Sequence, residues 1–138
     1  MSTDPARLDV GAIHAYLKDS YWARGIPRET VERSLRNSLG FGVYHGDDLV
    51  GFARVVTDLA TFAYIGDVFV LEAYRGRGLS KWLMQCMVEH PDLKDLRRWH
   101  LATRDAHGLY AKFGFAEPPP GKHMERVRQN PYPVPPPA

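Results

Sequence analysis

The sequence predicts an α/β (α+β) domain built on a mixed, mostly antiparallel sheet flanked by helices. Three observations carry this. Short β-branched or alternating runs recur between turn signals across Phe41–Val70. The apolar spacing then switches to a helical period over Leu79–Val88, directly behind the last of those strands. At 138 residues, 44% of them hydrophobic and 12% aromatic, the chain is large and apolar enough to bury a core without staples.

Residues 1–8 are polar, contain Pro5 and show no strand alternation. Asp9–Lys18 sets Val10, Ile13 and Leu17 on one face and predicts a first helix with Asp9 as N-cap. An aromatic loop over 20–27 ends at Pro27, which suits the first turn of a second helix. Val31, Leu35 and Leu39 continue that helix at i, i+4, i+8, with Gly40 as its stop. Phe41–His45 alternates, Gly46 to Asp48 turns, and Leu49–Val56 returns as the partner strand of a hairpin. Thr61–Val70 is the third strand, and Gly66 within it suggests a bulge or a close backbone approach. Leu79, Trp82, Leu83, Cys86 and Met87 form the apolar face of a third helix, ended before Pro91. Trp99–Thr103 reads as a strand, and Asp105–Phe113 as a short helix with Asp105 as N-cap and Gly114 as C-terminal stop. Lys122–Arg128 is expected as a last strand. The domain is placed at residues 1–128, with a proline-rich tail at 129–138.

Between the Val68–Val70 strand and the third helix lies Arg75-Gly76-Arg77-Gly78. Glycines there let the backbone turn and approach a ligand, and the helix start behind them offers free N–H groups and partial positive charge. Strand, basic glycine turn and helix N-terminus predict a site for a phosphate or pyrophosphate. Neither the P-loop pattern nor the G-x-G-x-x-G fingerprint is present.

What is present, Arg75-x-x-Gly78-x-Ser80, resembles the acyl-CoA-binding motif of the GNAT acetyltransferase superfamily, with Ser80 where glycine or alanine is usual. Ala106-x-x-Leu109-Tyr110, continuing to Gly114-Phe115, looks like the second GNAT motif in the expected order. The resemblance covers roughly Phe41–Phe115. It implies the GNAT fold, with a bulged central strand that splays from its neighbour to make a slot for pantetheine; the family usually begins with a strand, which residues 1–8 lack or cut short. It implies acetyl-CoA as cofactor, held by Val68, Phe69, Val70, Arg75, Gly76, Arg77, Gly78, Leu79, Ser80, Thr103, Ala106 and Tyr110. Thr103 stands where the family often has asparagine. Tyr110 would protonate the departing thiolate. Tyr21 and Trp22, on a loop that overhangs the acceptor site in this family, would contact the amine.

Amine acylation needs a group to take a proton, and Asp67, just before the slot, is the best placed carboxylate for base and substrate contact. Its alternative is to cap a bulge or to pair with a neighbouring arginine. The histidines form no metal-ligand spacing, so no metal is expected. A net charge of +2 with dispersed arginines argues against a nucleic-acid partner. The lone Cys86 and the lack of a long apolar run suit a cytoplasmic protein without a membrane partner. The expected activity is N-acetyl transfer from acetyl-CoA to a primary amine of a small molecule or peptide, by direct attack in a ternary complex. The alternative is a CoA-binding sensor or interaction module of the same fold. A homodimer stays open.

Overall fold

A computed structural model of the protein describes residues 1–129 and 131–133. The tail placed at 129–138 lies mostly outside them. Helix α1, Val10–Leu17, starts where the Asp9 carboxylate accepts the Ala12 N–H. Helix α2, Arg28–Arg36, starts behind Pro27, whose fixed φ suits the turn into a helix. Strands β1, Leu39–His45, and β2, Asp48–Thr57, form a hairpin about Gly46 and Asp47, with Gly46 at φ 62°.

Strand β3, Phe62–Val70, pairs antiparallel with β2. The turn between them is organised by Asp58, which accepts from the Thr61 hydroxyl and from the N–H groups of Ala60, Thr61 and Phe62. These bonds, the Thr61 hydroxyl foremost, hold its carboxyl well below the usual carboxylate range. Helix α3, Leu79–Val88, crosses over to β4, Arg98–Leu101, which lies parallel to β3. The sheet order is β1-β2-β3-β4, and helix α4, His107–Ala111, follows.

Each face of the sheet buries its own core. On one side Ile13 and Leu17 of α1 and Val31 of α2 pack on Leu49, Phe52 and Phe69. On the other, Leu83, Met84 and Met87 of α3 pack with Leu93 and Tyr110 against Phe41, Val43, Val55, Ala63 and Ile65. The predicted mixed, mostly antiparallel α+β architecture is the observed one.

Several element boundaries depart from expectation. Helix α2 stops at Arg36: Asn37 leaves helical geometry (φ −113°, ψ 14°), and Leu39 and Gly40 pair with Val55 and Arg54 as the start of β1. In α3 the buried stripe is Leu83, Met84 and Met87, while Trp82 is 42% exposed. Leu83 and Met87 of the expected face are buried as expected; contact with the sheet adds Met84 and leaves Trp82 at the edge. Lys122–Arg128 is not a strand: it is exposed throughout, Met124 completely. Pro118, Pro119 and Pro120 lead into it without N–H donors, and its side chains find no core to pack against. Of a first strand only one bridge exists, Ser2 exchanging both backbone bonds with Gly42.

Candidate active site

Strands β3 and β4 run together only from Phe62/Arg98 to Ile65/Leu101. Beyond that β3 leaves its neighbour, and the cause is local. Arg54 of β2 faces Gly66 while Phe52 faces Phe69, so β3 carries one extra residue there. The extra turn of backbone is taken up at Asp67, whose φ of 55° lies in the left-handed region that aspartate tolerates better than most residues. The bulge therefore sits at Asp67 rather than at Gly66.

The Asp67 side chain is engaged on both oxygens. Oδ1 accepts from Trp22 Nε1 at 2.9 Å and Oδ2 from Arg54 Nε at 2.8 Å. Both ion-pair partners are largely buried, with side chains 11% and 21% exposed. Of the two structural alternatives for Asp67 the arginine partner is present; the Asp67 backbone forms the bulge, while its carboxylate bonds side chains rather than capping it. The indole bond also fixes Trp22, and Tyr21 meets it edge-on at 5.0 Å while Arg104 stacks over the Tyr21 ring at 3.9 Å.

The divergence of β3 from β4 opens two adjoining cavities of about 700 and 690 Å³. The second is the slot itself. Val68, Phe69 and Val70 form one wall, Ala106, Leu109 and Tyr110 the other, and Arg75 and Ser80 line it as well. The first is bordered by Arg54, Tyr64, Asp67, Thr103 and Tyr132. Val68, Ala106, Tyr110, Tyr21 and Trp22 line both.

Tyr110 is 8% exposed. Burial first, then the nearby Tyr21 and Asp105, push its phenol above the ordinary value of 10.0. Its helix begins differently from expectation. α4 starts at His107, and the Ala106 N–H is met by the Thr103 hydroxyl at 3.0 Å. Asp105 caps nothing and lies near Arg104. Ala106 holds the N-cap position without a side-chain cap bond, and Thr103 ties down the chain just before it. Gly114 at φ 88° does end the helical segment.

In the glycine loop, Gly76 and Gly78 have φ of 78° and 75°. A Cβ at either would meet nothing within 4 Å, so open space lies beside this backbone. Gly78 is the N-cap position of α3, with no side-chain cap bond. Such a cradle of open backbone and helix start fits a phosphate-bearing ligand. The two arginines differ. Arg75 donates from Nε to the Val70 carbonyl and from Nη2 to the Tyr16 hydroxyl, both at 3.0 Å, and so ties the loop to β3 and α1. Arg77 only leans over the Tyr74 ring at 5.5 Å.

The structure thus gathers Val68, Phe69, Val70, Arg75, Ser80, Ala106 and Tyr110 around the slot, with Asp67, Thr103, Tyr21 and Trp22 beside it. Gly76, Arg77, Gly78 and Leu79 stay in the loop and line neither cavity. Sequence reasoning missed Arg54, Tyr16, Tyr64, Arg104 and Tyr132. Only Arg54 carried a signal, a cation between Ala53 and Val55 in an otherwise apolar strand.

Known proteins share this fold. The chain is 53% identical to a provisionally named GNAT-family acetyltransferase from Xanthomonas campestris, whose crystal structure superposes with a TM-score of 0.92 over 95% of this chain and 94% of that one. It is 33% identical to a provisionally named acetyltransferase of Gibberella zeae, over 81% of this chain and 75% of that one. At 14% identity, a Clostridium acetobutylicum protein whose crystal structure is described with acetyl-CoA shares the fold, with a TM-score of 0.67 over 90% of this chain and 92% of that one. The model of the acetyltransferase (GNAT) family matches residues 10–115, more than half of the chain, and the protein belongs to that family.

Proposed function

We propose that the protein transfers an acetyl group from acetyl-CoA to a primary amine of a small molecule or peptide, by direct attack within a ternary complex. One observation carries the reading: two cavities, one reaching Arg75 and Ser80 and the other Asp67 and Arg54, share Val68, Ala106 and Tyr110. A donor in the slot beside Arg75 and Ser80 and an acceptor in the cavity beside Asp67 would meet beside the Tyr110 phenol. The Clostridium relative described with acetyl-CoA and the family match support the donor.

Acetyl-CoA supplies the activated carbon: its C–S bond breaks as a C–N bond forms, the thiolate gains a proton and the amine nitrogen loses one. The chain's own residues hold and place the partners. Open backbone at Gly76 and Gly78, the α3 N-terminus and Ser80 bind phosphate. Val68, Phe69 and Val70 offer backbone to pantetheine as a neighbouring strand would. The Val70 carbonyl already accepts from Arg75, so the arginine sets the shape of this wall. Tyr110, kept protonated, gives its proton to sulfur and is resupplied through solvent. Asp67, held between Trp22 and Arg54, faces the amine and receives or relays the proton it sheds. Closeness of the two reactants contributes most of the rate.

The experiment is thiol release from acetyl-CoA across a panel of primary amines. Amine-dependent release is expected; tight CoA binding with no release for any amine would instead mark a sensor.

The loop arginines supply a graded test. Arg77→Ala should weaken CoA about three- to tenfold at low salt and less at high salt, because an exposed charge on phosphate is screened. Arg75→Ala should weaken CoA and also lower the melting temperature, since two hydrogen bonds anchoring the loop go with it. Isothermal titration at two ionic strengths decides, and flat responses from both variants would sink the phosphate assignment.

A further inference from the structure

Resting on the acetyltransfer reading, we infer that the acceptor is an amine that also carries a carboxylate, of the α-amino-acid class, and that Arg54 recognises that carboxylate. Arg54 spends only Nε on Asp67. Its Nη1 and Nη2 groups make no hydrogen bond among the described residues, and no fully buried polar side-chain atom there lacks a partner. The free Nη edge is therefore reachable from the cavity that Arg54 lines. Nη2 lies 3.8 Å from where a Cβ on Gly66 would stand, so the bare glycine leaves that side of the guanidinium uncrowded. Two parallel N–H donors from one planar group match a carboxylate bidentately.

The bond to Asp67 gives the recognition a fixed charge orientation. Arg54 and Asp67 form a fixed dipole, cation and anion 2.8 Å apart on one wall. The amine and carboxylate of an amino acid are separated by one carbon and lie against such a dipole with opposite signs facing. The amine end then falls on the Asp67 side. A polyamine would instead bring a second cation towards Arg54 and Arg104, which both line this cavity. Tyr21, Trp22 and Tyr64, 55%, 40% and 38% exposed, give the side chain aromatic faces to lie on.

The test uses the full chain, the proteinogenic amino acids, their α-carboxamides and spermidine, all assayed for acetyl-CoA-dependent thiol release. At least one amino acid should exceed its carboxamide by tenfold or more in kcat/KM. Arg54→Lys keeps a cation for Asp67 but lacks the planar pair of donors, and should erase most of that ratio, chiefly through KM, with the melting temperature retained. A second arm needs no turnover: the CoA-loaded protein is titrated with N-acetyl-amino acids and with their carboxamides. Binding that favours the carboxylates and fades in Arg54→Lys supports the inference even if no thiol is released, in which case only the acetyltransfer reading falls. Equal binding of the two series, no binding of either, a preference for spermidine, or a ratio untouched by Arg54→Lys overturns it.

Discussion

Gly78→Asp is expected to lower CoA affinity by more than tenfold, at least about 1.4 kcal/mol, while the protein stays folded. The fold should survive because the position is open: a Cβ there meets nothing within 4 Å, and aspartate is among the residues that tolerate the φ of 75°. An acidic group at the start of α3 even favours the helix, whose N-terminus is its positive end. The same charge repels a pyrophosphate seated on that N-terminus. Gly78→Asn separates the causes, having the same size and a neutral side chain. If charge is what matters, the asparagine variant should keep most of the affinity that the aspartate variant loses. Equal CoA titrations for wild type and Gly78→Asp would remove this loop from the binding site.

The architecture was legible in the sequence wherever local pattern decides it. Ile13 and Leu17 at helical spacing behind Asp9, and the Gly46–Asp47 turn between two apolar strands, are properties of neighbours in the chain. Where two local patterns compete, contacts from elsewhere choose. Leu39 fits the stripe of α2 equally well, yet pairing with Val55 draws it into β1. Trp82 shares an apolar stripe of α3 with Leu83 and Met87, yet the sheet covers those two and leaves Trp82 exposed. Asp105 is the expected cap of α4, yet Ala106 takes the N-cap position without a side-chain bond, its own N–H held by Thr103.

The candidate site divides the same way. Tyr110, Arg75 and Ser80 stand in short motifs, and motifs survive in sequence because the chemistry fixes their spacing. The Arg54–Asp67 pair joins two strands, and Trp22 reaches Asp67 across 45 positions of chain. Nothing in the order of residues announces a contact of that separation. A bulge that turns Asp67 to φ 55° is likewise written in how β3 pairs with β2, not in the residues of β3 alone.

Tyr110→Phe should bind acetyl-CoA and melt almost as the wild type does, yet lose at least tenfold in turnover, within the 10²–10⁴-fold that general acid catalysis typically contributes. The ring that packs in the core beside Phe115 is kept, and only the phenolic proton is removed. The direction of the titration supports the role. Burial raises this phenol above its ordinary value, so the proton is in place throughout the neutral range. The wild-type rate should therefore show no fall from ionisation of Tyr110 in that range. Stability follows with a definite sign: a group whose proton is held more tightly in the folded state favours folding at all pH values below the unfolded phenol's, and that contribution disappears as pH rises through the folded value. Alkaline melting should accordingly be steeper in the wild type than in Tyr110→Phe. Steady-state kinetics on any accepted amine, with melting curves at neutral and alkaline pH, test the whole statement. Turnover untouched by the substitution would leave Tyr110 as core alone, with the thiolate protonated by water. Loss of binding and stability together would show a residue that is structural before it is catalytic.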